Sequence, residues 1–147
     1  MTVAERRRKQ LDEALVRAQA TLTAAGAHVA AEPSDLGLAR LVVVGERESV
    51  AMPGDVVALA TRLLAQRLAT TWPGRTVEVR IPPYAAVQVG HGQGPRHTRG
   101  TPPSVVETDA LTFLRLATGD LTWAEAVAGG VRISGVHADL DDVFPFG

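Results

Sequence analysis

A chain of 147 residues, 46% of them hydrophobic, is long enough for one domain with a core of its own. It contains no cysteine, which excludes disulfides, thiolate chemistry and cysteine-ligated metals. A formal net charge of −1 and 4% aromatic residues provide neither an overall basic field nor a stacking platform for nucleic acid, so no nucleic-acid partner is expected.

The basic run Arg6, Arg7, Arg8 and Lys9 looks like the start of a secretory signal, but Asp12, Glu13 and Arg17 interrupt the apolar stretch that such a signal needs next. No apolar run approaches the roughly 18–20 residues that span a bilayer. The expectation is a soluble, cytoplasmic protein with no integral membrane segment. Residues 4–25 read as an amphipathic helix. Leu11, Leu15, Ala18, Leu22 and Ala25 form one stripe, Arg7, Gln10, Arg17 and Gln19 lie opposite, and Gly26 stops the helix. If that stripe stays exposed on the monomer, a homodimer through this helix is the simplest assembly. Leu41-Val42-Val43-Val44 is short and rich in β-branched residues, and Gly45 ends it, which predicts a brief strand followed by an exposed turn at Glu46–Glu48. Residues 1–52 therefore read as an N-terminal helix and a poorly legible extension.

A second helix is expected over 54–71. Pro53 stands near its start, Val56, Val57, Ala60, Leu63, Leu64 and Leu68 give it a broad apolar face, and Pro73-Gly74 stops it. Strands come next at 76–81, with Val77, Val79 and Ile81 on one face, and at 84–89, with Pro82-Pro83 bending the chain between them. Residues 90–104 read as a Gly/Pro-rich loop and Val105-Val106 as a short third strand. Thr108 or Asp109 caps a helix running to about Ala117, and Gly119 is its C′ residue. Thr122 and Glu125 make a capping box for a shorter helix that Gly129-Gly130 ends. Val131, Ile133 and Gly135 read as a last strand, and one turn over 139–143 docks Phe144 and Phe146. There is no G-x-G-x-x-G and no P-loop, so a doubly wound nucleotide fold has no support, and a single sheet with helices on one face fits better.

The stretch TDALTFLRLATGDLTWAEAVAGGVRISG, residues 108–135, resembles the C-terminal half of sterol-carrier-protein domains. The matching positions are Asp109, Phe113, Leu116, Gly119, Leu121, Ala126, Gly130, Val131, Ile133 and Gly135. A second block over residues 80–109, with RIPPYAAVQ, GPRHTRGTPP and VVETD, is similar to the bacterial branch of that family found in actinobacteria. Together with helix 54–71 the resemblance covers about 53–146. It implies an α/β (α+β) fold in which one mixed sheet of about five strands carries helices on one face. It places that domain over 53–147, with an apolar tunnel between sheet and helices. It implies a hydrophobic small-molecule ligand such as a fatty acyl chain or a sterol-like lipid.

The expected apolar lining is Leu64, Leu68, Phe113, Leu116, Trp123 and Val127, although an apolar pattern alone does not separate a lined pocket from a packed core. The concentrated polar set is the loop with Arg96, His97, Arg99 and Thr101, two fixed charges beside a titratable group. Guanidinium forks suit bidentate capture of a carboxylate or phosphate, so this loop is expected to hold an anionic head group. The alternative is a structural loop whose arginines pair with Glu107 or Asp109. His91, His97 and His137 show no metal-ligand spacing, so neither a metal nor another cofactor is expected. His97 as a general base oriented by Glu107 or Asp109 supports a rival reading, an enzyme or enzyme subunit acting on an anionic substrate. Ser104 lacks a nucleophile elbow, so no catalytic residue is assigned and a binding module is preferred to an enzyme. A regulatory or interaction protein is the third reading.

Overall fold

Thr2 and Glu5 open the chain by capping each other's backbone N–H groups, at 2.9 and 3.1 Å, and so start helix α1 (Val3–Ala24). The computed structural model describes residues 1–91 and 104–147. Helix α1 buries Ala14, Leu15, Ala18 and Leu22 along one stripe and leaves its other faces to solvent. The end of its predicted stripe, Ala25, is exposed at the C-cap.

The next element departs from the strand expected there. Residues 41–44 are not a strand; they lie inside helix α2 (Asp35–Arg47). Ser34 caps it, its hydroxyl accepting from the Gly37 N–H at 3.0 Å. The β-branched run survives in a helix because tertiary burial overrides a propensity difference of well under 1 kcal/mol per residue. Leu38, Ala39 and Leu41 are fully buried, and Leu36, Val42 and Val43 nearly so. Helix α2 packs against α1, against α3 (Gly54–Thr71) and against α4 (Ala110–Thr118). It is thus enclosed on several sides, as a helix that is apolar nearly all round must be.

The sheet has four strands among the described residues, slightly fewer than the about five that the resemblance implies. They are β1 (Val77–Ile81), β2 (Ala85–Val89), β3 (Ser104–Glu107) and β4 (Arg132–Ser134), in the order β2-β1-β3-β4. The sheet is mixed. β1 pairs antiparallel with β2, Val79 opposite Val87, and parallel with β3, Val79 opposite Val106. β3 pairs antiparallel with β4, Val106 opposite Ile133. Alternation along β1 turns Val77, Val79 and Ile81 into the core beneath the helices and leaves Arg80 exposed.

Helix α4 begins at Asp109, whose carboxylate accepts from the Thr112 N–H at 2.7 Å, and ends at Gly119 in the left-handed region, φ +81°. Helix α5 (Trp123–Ala128) carries the expected Thr122/Glu125 capping box. One contiguous core runs from Ala14 on α1 to Val143 near the C-terminal end. Among the described residues no helix is long and apolar enough to cross a membrane.

Candidate functional site

Five of the six expected lining residues are core residues. Leu64 and Leu68 come from α3, Phe113 and Leu116 from α4, and Trp123 from the first turn of α5. Val127 stands apart from them, 39% exposed on α5. The chain's own C-terminal segment faces Phe113 and Trp123. Phe144 and Phe146 stack on each other at 5.5 Å, and both present themselves edge-on to Phe113 at 6.2 and 6.1 Å. Trp123 stacks on Phe144 at 6.1 Å. The Phe146 N–H donates to the Ala117 carbonyl at 2.9 Å, which fixes the segment against the end of α4.

Beside this aromatic cluster lies a cleft of about 220 Å³. Leu68, Trp72, Val143, Pro145 and Phe146 give it apolar walls, while Arg67, Thr71 and Asp142 supply its polar edge. Of the expected lining, Leu68 reaches it. Arg67 and Trp72, which the sequence pattern does not single out, build much of it. Arg67 lies among the polar positions of α3, and its partners are distant in sequence. One guanidinium nitrogen is 3.0 Å from the Asp35 carboxylate, and the other donates to the Gly147 carbonyl at 2.8 Å. The same guanidinium lies 5.9 Å from the Phe146 ring centroid, within cation–π range. No periodicity signals such an arrangement. The signal for Trp72 is its place just before Pro73-Gly74, where a helix end puts a large side chain at a boundary.

His91 is the last described residue before the segment of the sequence that carries Arg96, His97 and Arg99. Its Nε2 is 2.9 Å from the Asp142 carboxylate, and its ring meets Trp72 edge-on at 5.1 Å. Its Nδ1 is buried and has no hydrogen-bond partner among the described residues. A buried imidazole nitrogen left in this way carries a cost that most native polar groups avoid. Arg96, His97, Arg99 and Thr101 themselves lie outside the described residues. The two carboxylates considered as structural partners for those arginines have other engagements. Glu107 is 3.6 Å from Arg132 across the β3–β4 pair, and Asp109 caps α4. Ser104 is buried, and its hydroxyl accepts from the His137 backbone N–H at 3.0 Å, tying β3 to the chain after β4.

The structure thus brings Leu68, Phe113 and Trp123 to one end of the core, where the C-terminal aromatics cover them and a small cleft remains. Residues 53–146 match the family described as bacterial SCP ortholog. No curated protein matches the chain.

Proposed function

The chain belongs to the bacterial SCP-ortholog family, a sterol-carrier-protein-like family, and from that premise we propose that it binds and carries a hydrophobic small molecule, such as a fatty acyl chain or a sterol-like lipid. The observation that carries this reading beyond family membership is the cleft walled by Leu68, Trp72, Val143, Pro145 and Phe146. Apolar walls with a few convergent polar groups are the usual make-up of a small-molecule site. Its 220 Å³ falls below the roughly 300–1,000 Å³ of sites that enclose drug-sized ligands. A ligand larger than that volume needs the Phe144–Phe146 segment to give way. Arg96 and Arg99, with His97 and Thr101, hold an anionic end of the ligand where there is one; the support for this is their guanidinium chemistry and their place in the sequence shortly after His91, which contacts the cleft residues Trp72 and Asp142.

Native mass spectrometry of the purified chain, followed by organic extraction, tests the proposal. The expected result is a retained acyl chain or isoprenoid, or uptake of an offered one with a rise in melting temperature. Arg96→Ala with Arg99→Ala is then expected to weaken acidic ligands more than neutral ones. A clean mass with no uptake of any offered fatty acid or sterol overturns the carrier reading. It would leave the Arg96-His97-Arg99 loop as the basis for an enzyme acting on an anionic substrate.

A further inference from the structure

On the far side of Arg67 from the apolar cleft, α1 and α3 enclose an open groove of about 440 Å³. α3 contributes Arg62, Gln66 and Thr70 at steps of four, together with Arg67, and α1 contributes Arg7 and Gln10 three residues apart. Such spacings put each set on one helix face. No carboxylate lines this groove. Arg67 is neutralised by Asp35 at 3.0 Å, but Arg7 and Arg62 have no ion-pair partner among the described residues. Two guanidinium groups outside any ion pair among the described residues therefore share one concave, solvent-open face. Farther along the same helix seam Glu13 and Asp55 appear with Arg17 and Arg62, and Asp55 is paired to Arg17.

Arg67 and Thr71 line both the groove and the apolar cleft, so the two are adjacent across a single ridge. We propose that an anionic amphiphile lies across that ridge, its carboxylate or phosphate head between Arg7 and Arg62 and its apolar chain against Leu68, Trp72 and Phe146. This rests on the carrier reading and adds to it a cationic seat built from residues other than Arg96 and Arg99. Half of that seat comes from α1, outside the matched span 53–146. The chemistry is complementary on both sides. A guanidinium fork binds carboxylate or phosphate through paired hydrogen bonds, and the 220 Å³ cleft equals about seven water volumes at roughly 30 Å³ each, room for a short alkyl chain.

Calorimetric titration of the full chain with octanoate, octyl phosphate and octan-1-ol, with the fluorescence of Trp72 and Trp123 followed alongside, tests this. At least one of the two acids is expected to bind about tenfold more tightly than the alcohol, the yield of one charge-assisted contact. Arg7→Gln with Arg62→Gln is expected to reduce that acid to the alcohol's affinity. Both arginines are exposed, and an unchanged octan-1-ol affinity shows that the variant is folded. Arg96→Gln with Arg99→Gln should lower the acid preference without abolishing it. The inference is overturned if the Arg7/Arg62 variant keeps the preference, or if wild type binds the alcohol as well as either acid. Wild type that binds none of the three overturns the inference, while the carrier reading falls only if long-chain fatty acids and sterols are refused as well.

Discussion

Phe113 shows how much a single side chain can organise here. It is fully buried on α4 and takes the edges of two C-terminal rings. Aromatic pairs of this kind contribute about 0.5–1.5 kcal/mol beyond their buried area. Phe113→Ala is expected to cost about 3–5 kcal/mol, read from urea denaturation, because the cavity lies between elements fixed elsewhere. A loss under about 1 kcal/mol would mean that the Phe144–Phe146 segment collapses into the space. A second residue-scale prediction concerns Glu125. The Thr122 backbone N–H and then its hydroxyl lower the Glu125 carboxyl below its ordinary 4.5. The folded state therefore binds fewer protons than the unfolded state between those two values. The stability contributed is fully present above about 4.5 and is lost as the pH falls through the depressed folded value. The gap in urea midpoint between wild type and Glu125→Ala should accordingly narrow between pH 7 and about pH 3. An equal gap at both would show that the cap acts without its charge. Local chemistry of this kind is readable in a sequence: Asp109, Gly119, Thr122 and Glu125 perform the roles their spacing announces. Arg67 is the contrary case, since its partners Asp35 and Gly147 lie 32 and 80 residues away.

Among the elements, those with one buried face were legible. α1, α3 and β1 each alternate apolar and polar positions at their own period, so their bounds come within about two residues of the expected ones. α2 was not, because burial on several sides erases the periodicity that distinguishes a helix from a strand. The β-branched composition of residues 41–44 was the remaining signal, and it points the wrong way. A glycine comparison probes how tightly that helix is held. A Cβ on Gly37 would stand 1.9 Å from the Glu32 carbonyl oxygen, where the chain entering α2 crosses its first turn. A Cβ on Gly54, at the start of α3, would meet nothing within 4 Å. Gly37→Ala is therefore expected to destabilise by about 1–3 kcal/mol, as overpacking does. Gly54→Ala should be neutral or stabilising by up to about 1 kcal/mol, because it restricts the unfolded chain at no steric cost. Thermal denaturation of the two variants side by side checks the contrast. Equal effects would show that the 29–34 segment shifts freely to accept the methyl.

For the whole molecule, the matched span and the folding unit do not coincide. The family match begins at residue 53, but the core does not. Leu15, Leu22, Leu36, Leu38, Leu41, Val42 and Val43 are all buried in the same cluster as Leu64, Phe113 and Val79. Each such side chain stabilises by about 1.5–3 kcal/mol when buried, so together they contribute roughly 10–20 kcal/mol. A domain of this size has a net stability of about 5–15 kcal/mol. Removing residues 1–52 therefore takes away as much as the fold has to lose. It also exposes the faces of α3 and α4 that α2 covers. A fragment of residues 53–147 is expected to bind a hydrophobic dye and lose the near-ultraviolet signals of Trp72 and Trp123, while keeping much of its helical far-ultraviolet signal. The full chain should unfold in one cooperative step. A fragment that unfolds cooperatively with native aromatic signals would show instead that α1 and α2 form a separable layer. The Arg7/Arg62 groove would then be an interface between two units.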